Sequence, residues 1–161
     1  MFKLKILSWI LVFLAGFVTA GILFLAQSAS ATGSVVAYDQ YSPQNHVTED
    51  QILVYKDRVV LDVPDVKWAS IADTNSMDPF FDSGANVLQI IPQFPSDIAV
   101  GDVVSYSPQG SPAKHIIHRV VYIGEDEEGL YFILKGDNNA VSDPGKVRFE
   151  QIDRVLIGVI Y

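Results

Sequence analysis

Three short stretches carry the residues whose types and spacing suit chemistry: Ser76-Met77-Asp78-Pro79, then His118-Arg119-Val120, then Gly136-Asp137-Asn138-Asn139 running on to Asp143. A serine hydroxyl is a weak nucleophile until a neighbouring base takes its proton, so Ser76 has meaning only beside an imidazole or an amine. Pro79 fixes its own φ and biases Asp78 toward extended backbone, which makes a stiff turn able to present a hydroxyl at a strand end. The chain has three imidazoles, His46, His115 and His118. In a strand over Ile116–Ile123, alternation sets Ile116, His118, Val120 and Tyr122 on one face and His115, Ile117, Arg119 and Val121 on the other. His118 then shares an apolar face. An imidazole of ordinary pKa, about 6.5, is mostly neutral at pH 7 and apt as a general base. A carboxylate beside it would fix its tautomer and stabilise the imidazolium, and sequence order leaves Asp137 and Asp143 both open for that role.

Each stretch also has a plain structural reading. Ser76 can be a turn serine, His118 a hydrogen-bonded core histidine, and Asp and Asn next to Gly136 favour turns without any catalytic duty. A metal centre is not expected. His115 and His118 fall on opposite strand faces, and the chain has no cysteine to complete a zinc site. The chain shows no cofactor motif, and the lack of cysteine also excludes thiol catalysis and disulfides.

The elements that must position these residues are short. From Gln51 onward, β-branched and aromatic runs alternate with Gly, Pro, Asp and Asn: Ile52–Tyr55, Val59–Val63, Asn86–Ile91, Asp102–Tyr106, Ile116–Ile123, Leu130–Leu134 and Arg154–Tyr161. Seven such runs predict an all-β domain over 51–161, and its spread of prolines argues against long helices. Asp126-Glu127-Glu128-Gly129 reads as a solvated hairpin tip. The closing Val155–Tyr161 run is too short to cross a bilayer and reads as a core strand.

Ahead of this domain, Ile6 to Ala26 holds no charged residue. At about 1.5 Å per residue, that stretch covers the roughly 30 Å hydrocarbon core. Residues 1–26 are therefore expected to be a transmembrane anchor and 27–50, rich in small and polar residues, a tether. Lys3 and Lys5 precede the apolar run, and all 19 acidic residues follow it. The positive-inside tendency puts the N-terminus in the cytoplasm and the domain outside. A cleaved secretory signal ending at Ala29-Ser30-Ala31 is the competing reading, although the apolar run exceeds the usual h-region of about 7–15 residues. The acidic surface disfavours nucleic acid as a partner.

Taken together, the boxes resemble the type I signal peptidases, in particular the archaeal and endoplasmic-reticulum branch. The resemblance rests on Ser76–Pro79, Gly101–Val104, His118–Val120 and Gly136–Asp143, in that order, and runs from about Ser76 to the C-terminus. It implies a signal-peptidase-like β fold and cleavage of signal-peptide-bearing preproteins after small-x-small sites, in contact with membrane lipid, with any accessory subunits left open. It further implies Ser76 as nucleophile, His118 as general base, Asp143 as third member and Asp137 in support. Thr74 matches the hydroxyl of the family's oxyanion hole, with Met77 and Pro79 beside the substrate. The bacterial branch has a lysine base where this chain has His118. Two departures stand out: Asn75 replaces the family's small residue, and Phe80-Phe81 follows the proline. Two other readings remain. One is a self-cleaving Ser-Lys protease of the repressor type, which needs a lysine base. The other is an inactive anchored β-domain that binds a partner at the envelope.

Overall fold

The computed structural model describes residues 40–161 except Pro112 and Ala113. The chain divides at Asp39/Gln40 into two units, and the second, Gln40–Tyr161, is compact. The expected anchor, the first part of the tether and the Ala29-Ser30-Ala31 site lie outside the described residues. Among the described residues no helix is long and apolar enough to cross a membrane.

The second unit is all-β, as the runs predict. Eight strands form: β1 (Ile52–Val54), β2 (Val59–Leu61), β3 (Lys67–Ser70), β4 (Asn86–Ile90), β5 (Val103–Tyr106), β6 (Ile116–Asp126), β7 (Gly129–Lys135) and β8 (Ile152–Ile160), with short 3-10 turns at Glu49–Gln51, Pro95–Asp97 and Phe149–Gln151. Strands β1 and β2 pair with each other as a separate hairpin, and the other six form one sheet in the order β3-β4-β8-β5-β6-β7. All its pairings are antiparallel. The C-terminal run lies in mid-sheet, between β4 and β5, which accounts for its continuous apolar character.

Strand β3 is absent from the seven expected runs. Its sequence, Lys67-Trp68-Ala69-Ser70, lacks a β-branched residue, and register against Val87 and Gln89 of β4, not propensity, makes it a strand. The alternation expected in β6 holds through Val120 and then fails. Val120 faces Leu134 but Tyr122 faces Ile133, so a bulge inserts one residue. Ile123 thereby takes the core side, and Tyr122 is left 54% exposed.

The sheet buries apolar side chains on both faces. One cluster gathers Val104, Tyr106, Val120, Phe132, Leu134 and Val155. The other gathers Met77, Phe81, Ala85, Val87, Val103 and Leu156. The second cluster fixes the site, because Met77 and Phe81 belong to the turn that carries Ser76.

Residues 40–50, the described part of the stretch read as tether, lie against the sheet's Gly101-Asp102 corner. The Gln44 backbone N–H donates to Asp102 Oδ1 at 2.9 Å and its side-chain amide to Asp97 O at 2.7 Å. His46 Nε2 stands 3.1 Å from Asp102 Oδ2, off the line of a good hydrogen bond. Gly101 has φ +106°, and a Cβ there would run into the Ser42 carbonyl. Burial pushes the Asp102 carboxyl up, but His46 and the N–H groups of Ala99 and Gln44 outweigh it and hold the pKa below the ordinary value. Polar spacing hid this packing. The segment docks by hydrogen bonds and has no apolar period to read.

Candidate active site

Ser76 sits on a turn held from both sides. Within the turn, the Thr74 and Asn75 N–H groups donate to Asp82 Oδ1 at 3.2 and 3.1 Å, and the Phe80 and Phe81 N–H groups to Met77 O at 2.8 and 3.2 Å. Desolvation pushes the Asp82 carboxyl up, but the N–H groups of Thr74, Asn75 and Ser83 outweigh it and hold the pKa below its ordinary value. Met77 and Phe81 are buried at 2% and 3% exposure, so the turn is nailed to the core by its own side chains. The Asp78–Pro79 bond is cis, and Asn75 has φ +56°. Asparagine is one of the few residues other than glycine that tolerates this left-handed region, so the departure at Asn75 keeps the backbone that a glycine would supply.

From outside, the turn rests on the Gly136–Asn139 connection that follows β7. The Asn138 backbone N–H donates to Ser76 O at 2.9 Å and its side-chain amide to Asn75 O at 2.9 Å. A Cβ on Gly136 would stand 2.6 Å from Ser76 O, a clash that only glycine avoids. Thus the Gly-Asp-Asn-Asn stretch, open to a plain turn reading, serves as the seat for the serine turn. The Thr74 and Ser76 hydroxyls are 3.2 Å apart, and the Ser76 N–H points toward Thr74 Oγ1 at 3.5 Å.

His118 lies on β6 opposite Val104 and is buried. Its Nδ1 is 2.5 Å from Asp143 Oδ2, and the Tyr106 hydroxyl donates to the same oxygen at 2.9 Å. Asp143 is itself pinned, since its N–H donates to Leu134 O at 2.8 Å. Burial, with the Asp143 carboxylate in second place, pushes the Tyr106 phenol well above its usual range, so Tyr106 stays a donor at any physiological pH. With Nδ1 engaged, Nε2 is the imidazole nitrogen left to act. Thr74, Ser76, Met77 and His118 all line one cleft of about 750 Å³. No hydrogen bond joins Ser76 to His118 among the described residues; such bonds are often long without substrate.

Asp137 takes a different place from Asp143. It receives Arg119 Nε and Nη2 at 2.8 and 2.6 Å, a bidentate pair, while Arg119 Nη1 donates to Gly101 O at 2.7 Å. The Arg119 guanidinium also lies 5.3 Å from the Phe80 ring centre. Arg119 thus ties together β6, the Asp137 turn, the Gly101 corner and the residue after Pro79. Its role was missed in the sequence, as were those of Tyr106, Asp82 and Asn138. The legible signal was that Arg119 and Asp137 are opposite charges in two boxes whose strands pair, Arg119 against Lys135.

Just ahead of β6, His115 Nδ1 is 3.0 Å from Asp153 Oδ2, and the Ser107 hydroxyl donates to the same carboxylate at 3.1 Å. Lys114 also lines the cleft, whereas the Asp143 carboxylate is on His118.

Against known proteins, the chain is 35% identical over 69 residues to the signal peptidase complex catalytic subunit sec11 of Schizosaccharomyces pombe, covering 40% of this chain and 36% of that one. It is 32% identical over 79 residues to signal peptidase I W of Bacillus subtilis, covering 49% and 40%. The human signal peptidase complex catalytic subunit SEC11C matches at 36% over 74 residues, covering 45% and 37%. Each match spans less than half the length of the relative. No protein-family model matches the chain, and no solved structure does. The three partial matches, from a yeast, a bacterium and a mammal, support a signal peptidase I-like relationship.

Proposed function

We propose that the protein is a membrane-anchored serine endopeptidase that removes signal peptides from exported preproteins. The observation that carries this reading is the placement of Thr74, Ser76 and His118 on one cleft, with Asp143 holding the imidazole by Nδ1. Ser76 Oγ attacks the carbonyl after a small residue while His118 Nε2 takes its proton, giving a tetrahedral oxyanion. The donors proposed for this oxyanion are the Ser76 N–H and the Thr74 hydroxyl, whose oxygen is 3.5 Å from the Ser76 nitrogen. Collapse passes the proton from His118 to the leaving amine and releases the mature chain. Water then attacks the Ser76 ester, with His118 again taking and returning a proton. Met77 and Pro79 hold the turn's shape beneath the scissile bond.

A histidine at 118, where the bacterial branch would have its lysine base, supports reading the chain with the archaeal and endoplasmic-reticulum branch. Among the described residues strand β3 ends the sheet and leads through Ile71-Ala72 to the serine, so its outer edge is the proposed place for a peptide to add as a further strand. Anchoring by residues 1–26, with the N-terminus cytoplasmic, would bring this domain to preproteins held in the same bilayer outside the cytoplasm. Catalytic-subunit status in the names of two relatives favours accessory subunits for this chain as well.

The test compares full-length protein in membranes with its Ser76→Ala variant on a secreted precursor bearing an Ala-x-Ala site. Cleavage by the first and not the second is expected. No cleavage by either, with both folded, would move the reading to an anchored binding domain.

A further inference from the structure

Beyond Ser76, the floor of the same cleft is polar and short of partners. Register puts Lys67 opposite Gln89 and Ser105 opposite Arg154, on the face that elsewhere buries Val87, Val103 and Leu156. The covering residues Met77 and Phe81 reach only the part of this face next to the serine turn, and the remainder opens as cleft. Gln89 is 3% exposed, and its Nε2 is buried with no hydrogen-bond partner among the described residues. Arg154 Nη1 is likewise buried and unpartnered, and no carboxylate of the described residues lies within 4.0 Å of this guanidinium.

A partly buried guanidinium without a counter-charge is an unfavourable arrangement unless something else supplies the charge. The cleft's lining has three cations, Lys67, Lys114 and Arg154, against one carboxylate, Asp153. Asp153 is already shared by Ser107 and His115. This basic floor contrasts with a chain of net charge −8. Chain-wide charge therefore does not explain it.

We propose that Arg154, backed by Gln89, is a specificity residue that pairs with an acidic side chain of the bound peptide near the scissile bond. The proposal rests on the peptidase reading of this cleft. A carboxylate fits because it can accept two parallel N–H bonds from a guanidinium, and a backbone carbonyl would leave the charge unmatched.

Binding separates this proposal from catalysis. Full-length protein carrying Ser76→Ala, in detergent, is titrated with labelled Ala-x-Ala peptides in which a single Glu, Lys or Ala is walked through the positions flanking the scissile bond. At one position or more, Glu should bind about tenfold tighter than Lys. In the Arg154→Met background that preference should fall below about twofold, and in Arg154→Glu it should turn toward Lys. Equal binding of Glu and Lys peptides at every position would overturn the proposal, and so would a Glu preference that survives Arg154→Met. Equal binding on the Ser76→Ala protein overturns the proposal even if both Arg154 variants fold poorly, and Arg154→Lys, which keeps the charge but loses the two parallel N–H bonds, should then weaken a Glu preference that is seen. Failure of the wild-type protein to cleave any of these peptides would count against the peptidase reading alone.

Discussion

His115, just ahead of β6, and His118, within it, each sit against an aspartate that also accepts from a hydroxyl, and only the His118 arrangement suits the proposed catalytic base. His118 and Asp143 side chains are 8% and 12% exposed, and His115 and Asp153 are 64% and 36% exposed. Burial is only part of the difference. In the outer group, Asp153 and the Ser107 hydroxyl both approach His115 Nδ1, at 3.0 and 3.4 Å, so the same nitrogen would have to meet the orienting carboxylate and the nucleophile. In the inner group, Asp143 takes Nδ1 and the serine comes from a different turn, leaving Nε2 to move the proton. A list of residue types would rank the two groups equally. The distinguishing feature is which ring nitrogen each neighbour occupies.

The largest expected effect breaks the inner group. Asp143→Asn should lower kcat by about 10³- to 10⁴-fold, whereas Ser107→Ala in the outer group should leave it within about twofold. Cleavage rates of the two variants on one precursor check this contrast directly. Next comes the frame behind the inner group. Asp137→Asn leaves the buried Arg119 guanidinium half-paired and should destabilise the domain by about 3 kcal/mol, read from a denaturant midpoint. Tyr106→Phe should be milder, with kcat down about tenfold and little change in folding, because it removes one donor from Asp143 while keeping the ring in the core.

The smallest effects belong to the exposed network of Lys146, Arg148 and Asp126. Lys146, ahead of Arg148, holds the Asp126 pKa down at about 2. A folded pKa below the unfolded value contributes stability that is present above the ordinary value near 3.8 and lost as pH falls toward about 2. Asp126→Asn should therefore flatten the stability profile in that window only, and solvent screening keeps the change small. Asp102 has the same sign, and its buried position predicts a larger acid-side loss in the wild type than in Asp102→Asn. Acid titrations followed by circular dichroism would rank the two.

Much of this was legible in the chain. The β-branched runs between turn residues gave seven of the eight strands, because half-buried strands need that composition. Strand β3 escaped since its identity comes from its partner. The three boxes singled out Ser76, His118 and Asp143 as residues, but order along the chain could not separate Asp143 from Asp137; a fold that turns twice after β7 sends one carboxylate to an imidazole and the other to Arg119. Side-chain partners across distant segments, such as Asn138 under the serine turn or Tyr106 on Asp143, have no periodic signature. Nor did the polar stretch around Gln44, whose seat on Asp102 depends on backbone amides that every residue carries.

Reaction of the full-length protein with an active-site-directed acylating probe, followed by mass mapping of the adduct, tests the central claim most directly. A single adduct on Ser76 is expected, formed much more slowly in Asp143→Asn. An adduct on Ser107 instead, or none on folded protein, would contradict it.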